Sequence, residues 1–113
     1  MELISFADFQ KIKLCVGTVL EASLNTKARN PAYVLKIDFG EAYGIKTSSA
    51  QITKAHPDPK ELVGTQVTAV MNFEPKRVAG VKSEVLVLAA VAATGENVLI
   101  TPRLSVPAGT PIA

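Results

Sequence analysis

Three cations fall within seven residues in the segment Lys76-Arg77-Val78-Ala79-Gly80-Val81-Lys82. Their natural chemistry is the recognition of anions: Lys76, Arg77 and Lys82 can contact successive phosphates. Pro75 stiffens the turn, and Gly80 frees a backbone angle or admits a close approach. Asn72 and Ser83, at the flanking strand ends, can add directional hydrogen bonds to bases or ribose hydroxyls. By residue type alone the segment also fits a solubilising charged turn. A second candidate is Ser48-Ser49-Ala50-Gln51-Ile52, read as the start of a helical turn. Its hydroxyls and free N–H groups suit an anion or serve as an ordinary cap. A third is the basic loop Lys27-Ala28-Arg29-Asn30, which equally fits a solvated loop. Lys46, beside the serines, and Lys36, on the polar face of its strand, extend either patch.

Catalytic groups are scarce. The chain has one His and one Cys. His56 stands between Ala55 and Pro57 and reads as a surface-turn residue. Cys15 lies in a strand pattern and reads as a small core residue rather than a nucleophile. With no second His or Cys there is no metal cluster to build. Asp38, Glu74 and Glu84 show no spacing that argues for an acid–base pair. Neither a phosphate-cradling loop nor a dinucleotide fingerprint is present. The inventory points away from an enzyme, a metal and a cofactor.

Composition sets further bounds. A length of 113 residues fits one domain over 1–113. Apolar residues make 48% and charged residues 19%, a globular balance. With four Phe, two Tyr and no Trp, the core must rest on Val, Leu, Ile and Ala. A lone thiol predicts a reducing compartment. Met1–Ile12 carries Glu2 and Asp8 and does not read as a signal peptide. The longest apolar run, Val85–Ala93, falls far short of the roughly 20 residues that span a bilayer. The expectation is a cytoplasmic protein without a membrane partner. A net charge of only +2 does not announce nucleic acid by itself. Such a function must come from where the cations sit.

The elements that position these residues follow from pattern. Ser5 with Asp8 predicts a capped short helix over Phe6–Lys11, with Phe6, Phe9 and Ile12 on one face. Leu14–Ala22 reads as a strand bent at Gly17, as at a barrel corner. Tyr33–Phe39 alternates cleanly and reads as a half-buried strand. Gly44–Thr47, Thr65–Phe73, Glu84–Ala92 and Val98–Thr101 read as further strands. Ser48–Lys54 reads as a helical turn, Glu74–Lys82 as a charged turn, and Gly95–Asn97 as a hairpin turn. Pro102–Ala113 shows no regular period. Short strands at this spacing, with one helix between them, predict a small all-β barrel with short helices. A five-stranded OB-fold is the best-known example, and an SH3-like barrel is the alternative.

The order "VGTVLEA", "YVLKIDFG", "GIKTSSAQIT", "ELVGTQVTAVMNFEPKRVAGVKSEVLVLAA" resembles the tRNA-binding domain found free-standing and fused to some aminoacyl-tRNA synthetases. The forms "IKTSSAQIT" and "NFEPKRVAGVKSEVLVLAA" are most similar to the CsaA group. The resemblance covers about residues 6 to 112. It implies an OB-fold, a homodimer, tRNA as partner and, for the CsaA group, a chaperone role in protein export. Unfolded or exported polypeptides are then a second class of partner, on a groove lined by Ile52, Val78 and Val81. Carried over by position, the family's polar pocket maps onto Ser48, Ser49, Asn72, Arg77, Lys82, Ser83 and Glu84. With Arg29, Lys46 and Lys76 these are the candidate RNA-binding residues. Ser48-Ser49 and Val85-Leu86 depart from the wider family and fit the CsaA group. The N-terminal Phe6/Phe9 helix and the Pro102–Ala113 tail are candidates for the dimer interface; the alternative is that they cap the barrel ends.

Overall fold

Alternation of side chains decides which face of each strand turns inward. The computed structural model describes Met1–Ala113. In chain order its elements are α1 (Phe6–Gln10), β1 (Leu14–Leu24), β2 (Tyr33–Asp38), α2 (Gly40–Tyr43), β3 (Ile45–Ala50), a tight helical turn (Pro59–Leu62) and β4 (Gln66–Val70). There follow β5 (Lys76–Val78), β6 (Val81–Ser83), β7 (Leu86–Val87), β8 (Ala89–Val91), β9 (Asn97–Leu99) and β10 (Pro111–Ile112). Tyr33, Leu35 and Ile37 of β2 are buried, and Val34, Lys36 and Asp38 between them are not.

The main sheet runs β3-β2-β1-β4-β7, all neighbours antiparallel. β1 is shared: Leu14–Thr18 pairs with β4, and Thr18–Leu24 pairs with β2. That change of partner curls the sheet toward closure. Gly17 sits at the corner, where a Cβ would lie 2.5 Å from Ile37 Cγ2 and 2.6 Å from Phe39 Cε1. Only a glycine lets these two side chains fill the barrel interior. Around them gather Val19, Leu35, Val67 and Ala69, all essentially inaccessible to water. Closing β3 onto the β6–β7 segment gives the order β1-β2-β3-β7-β4-β1, a nearly closed OB-fold barrel of five strands.

Several expectations need correcting. Ser48–Lys54 does not start a helix; β3 runs on to Ala50. The serines are satisfied within the strand by partners far along the chain, so they have no need of a helical turn. Glu84–Ala92 is not one strand. It breaks at Leu88, whose N–H still donates to Thr68 O on the adjacent β4 while its carbonyl accepts from Ile100 N. β7 stays with β4, and β8 folds back on β9. The Glu74–Lys82 turn contains a two-stranded ribbon. The tail is not wholly irregular: β10 pairs with the start of β1 at Leu14↔Ile112 and Cys15↔Pro111. α1 forms as expected, with Asp8 N donating to Ser5 Oγ, but buries none of its residues.

Candidate nucleic-acid interface

The β5–β6 ribbon is closed by Ala79-Gly80. Both have positive φ, 47° and 83°, which is the tight hairpin turn matched to strand twist. Its register pairs Lys76↔Ser83, Arg77↔Lys82 and Val78↔Val81. Directly opposite residues share a face, so Arg77 and Lys82 stand together on one side of the ribbon, and Lys76, Val78 and Ser83 on the other. Arg77 and Lys82 are exposed like charges across a ladder, an arrangement that repels. No carboxylate neutralises them. The ion pairs of the molecule join Lys11 to Asp8, Lys36 to Glu21 and Lys46 to Glu84. Arg77 spends one N–H on Gly80 O at 3.3 Å.

The Asn25–Pro31 loop docks on the tip of this ribbon. Asn25 is buried; its Nδ2 donates to Ala79 O at 3.4 Å, and its Oδ1 accepts from Lys27 N at 3.0 Å. Lys27 lies over Gly80, where a Cβ would meet Lys27 Cδ at 3.7 Å. Arg29 is exposed on the same loop. Two basic segments some fifty residues apart in sequence are thus gathered at one corner, held by a buried amide.

The other ribbon face forms one wall of an open groove of about 410 Å³, with Ser49, Phe73, Glu74 and Glu84 around it. Here Ser83 and Glu84 close the barrel. Ser83 Oγ accepts from Ser49 N at 3.0 Å, and Glu84 Oε1 accepts from Thr47 N at 3.1 Å. Glu84 N donates to Thr47 O at 2.8 Å. Side chains therefore take up the edge donors of β3 that no neighbouring strand reaches. Glu84 Oε2 lies 3.8 Å from Lys46 Nζ.

The candidate residues are not all gathered. Lys76, Arg77, Lys82, Ser83, Glu84 and Ser49 surround the ribbon, and Arg29 stands on the docked loop. Lys76 faces the groove, so the cations do not form one row. Ser48 is fully buried, and its hydroxyl donates to Val85 O at 3.1 Å, which makes it a closing residue rather than an exposed contact. Asn72 accepts from Lys13 N at 2.9 Å and donates to Lys11 O at 2.8 Å, tying the segment after α1 to the end of β4's strand path. Asn25 and Phe73 escaped the sequence reading. Asn25 had a signal, since an Asn opening a basic loop readily bonds its own backbone. Phe73 had none: it ends the expected strand Thr65–Phe73, whereas β4 stops at Val70 and leaves the ring exposed.

Residues 14–111 match the family described as "Putative tRNA binding domain". The chaperone CsaA of Bacillus anthracis str. Ames superposes with a TM-score of 0.92 at 51% identity, covering 99% of this chain and 100% of that one. The CsaA chaperone protein of Picrophilus torridus gives 0.90 at 44% identity, covering 98% and 100%. Methionine–tRNA ligase of Methanothrix thermoacetophila is 41% identical over 107 residues, 95% of this chain. The chain spans only about 15% of the length of the methionine–tRNA ligases it matches. The chain belongs to the tRNA-binding-domain family and, within it, to the CsaA-type proteins.

Proposed function

We propose that this protein binds transfer RNA in the cytoplasm, as a homodimer and without catalysing a reaction. The observation that carries the reading is the Arg77–Lys82 pair: two exposed cations held opposite each other with no acid beside them, and Lys27 at the same corner. In the free protein that arrangement is mildly unfavourable. Against a polyanion the repulsion disappears, and each cation neutralises a phosphate. Membership of the family supports tRNA as the polyanion, and the solved CsaA relatives support a binding module.

Salt dependence tests it. Affinity for tRNA should fall with added salt, with a slope of about −0.7 to −0.9 per phosphate neutralised. Arg77→Ala should weaken binding and flatten that slope by nearly one phosphate, while leaving thermal stability unchanged or slightly raised. Binding that ignores salt, or a silent Arg77→Ala, overturns the assignment.

One observation favours a second reading, a polypeptide-binding chaperone with a role in protein export. Leu86 and Val91 are exposed on a groove whose walls also include Ile52, Val78 and Leu88. Val81, expected there, is not among the groove residues. Unfolded polypeptide that displaces bound tRNA would place both on one surface; polypeptide that binds without displacement would separate them.

A further inference from the structure

We propose that the groove beside the ribbon takes one unstacked base of the bound RNA, with Phe73 as its stacking platform; this rests on the RNA-binding reading above. The aromatic inventory is the starting point. Of four Phe and two Tyr, Phe39 and Tyr33 are core residues. Phe6 and Phe9 pack on each other in α1 with ring centroids 6.3 Å apart, and Tyr43 lines the groove beside them. Phe73 alone stands by the cations, 56% exposed on the groove wall. A solvent-facing ring next to cations is the arrangement by which single-stranded nucleic acid is held, because every base offers a face for stacking.

The groove's polar groups say which part of a nucleotide enters. Glu74 and Glu84 both line it, so a phosphate inside would meet carboxylates. Arg77 and Lys82 point to the opposite ribbon face, where a phosphate is welcome. The ribbon therefore sorts a nucleotide chain: backbone on one side, base on the other, with Lys76 at the groove rim. Ionised carboxylates only accept hydrogen bonds. Glu84 Oε1 is engaged by Thr47 N and Oε2 is ion-paired with Lys46 at 3.8 Å, which leaves the Glu74 carboxylate as the unpaired acceptor for donors on the ligand. Ser49 spends its N–H on Ser83 and lines the groove, with no protein partner for its hydroxyl. A base with an exocyclic amino group meets these acceptors better than uracil does. At about 410 Å³ the groove lies in the lower part of the range of small-molecule sites.

The chain has no tryptophan, so Phe73→Trp places a sole tryptophan at the platform, which can be excited selectively over the two tyrosines. Titration with total tRNA should quench its emission over the same concentrations that give binding. Single-stranded oligo-A and oligo-C should quench more than oligo-U. Phe73→Ala should lower tRNA affinity by about 5- to 150-fold, the loss of one stacked base, and leave the salt slope unchanged. Phe73 is exposed, and an unfolding curve for each variant checks that the barrel is intact. If Phe73→Ala binds like wild type and the Trp emission is unmoved while Arg77→Ala is impaired, the base pocket is wrong and the RNA reading stands. If the wild type binds no tRNA, both fall. If unfolded polypeptide quenches the Trp and tRNA does not, the groove takes protein side chains and the proposal is overturned.

Discussion

Tyr33 carries a phenol that the fold keeps neutral. Its hydroxyl donates to His56 O at 2.7 Å from a buried position on β2. Burial, and then the negative charge of Asp58, holds its pKa above the ordinary tyrosine value. Tyr43 is shifted the same way, first by the nearby Cys15 thiol and then by burial. An unfolded chain ionises its tyrosines near pH 10. The folded state holds those protons longer, so the stabilisation is complete below about pH 10 and is lost as pH rises through the folded pKa values. Urea midpoints should be flat from neutral pH to that point and fall beyond it. Tyr33→Phe should cost about 1 kcal/mol at neutral pH, the net worth of one hydrogen bond, and should blunt the alkaline fall. A second residue-scale test is Gly17→Ala. Its methyl would intrude on Ile37 and Phe39, so about 1–3 kcal/mol of unfolding free energy should be lost. Gly17 was legible as a bend in a strand. Which side chains claim the empty space was not, because they come from another strand.

Ser83 and Glu84 act on elements rather than on themselves. They close the barrel where β3 has no bonded neighbour on its outer side. Ser83→Ala leaves the Ser49 N–H without its partner and should cost about 1 kcal/mol by thermal or urea unfolding. Glu84→Ala removes the acceptor for Thr47 N and the counter-charge of Lys46 together, and should cost at least as much. Because the two residues are adjacent on one latch, the double variant should depart from additivity. Amide exchange at Thr47 and Ser49 should accelerate in each variant, with β1 and β2 little affected; equal acceleration everywhere would argue against a local latch. This latch also marks where sequence reasoning stopped. β2 was legible because its own alternation states its burial. β3 was legible only in its first half, read as the strand Gly44–Thr47; Ser48-Ser49-Ala50 has no apolar rhythm, and a buried serine looks like a cap. Its partner for Ser48 is Val85, 37 positions away. The cations of the β5–β6 ribbon were legible as a cluster, but their division between two faces depended on a register that only the folded hairpin sets.

At the scale of the molecule, the apolar surface around α1 is left without a partner. Phe6 is 72% exposed, and α1 as a whole buries nothing. Ile12 and Tyr43 lie with it around a groove of about 270 Å³, whose far wall is the Pro111–Ala113 end of the chain. Leu3 and Ile4, just before α1, are also open to water. The proposed homodimer would cover this face, and the pairing of β10 with β1 makes the tail a fixed wall for it. A subunit with a net charge of +2 attracts a polyanion weakly. Two subunits held back to back would offer two basic corners to one folded RNA, and the second contact becomes intramolecular, which can raise affinity by about 10²–10⁴ without any new contact. Phe6→Asp tests this, since Phe6 contributes to no barrel core and the variant should fold normally. The wild type should sediment as a dimer and Phe6→Asp as a monomer. The monomer should bind tRNA far more weakly than the loss of one side-chain contact explains, and its salt slope should fall to about half. A wild type that sediments as a monomer, or a monomeric variant with full affinity and an unchanged slope, would remove the dimer from the account of binding and leave each corner to act alone.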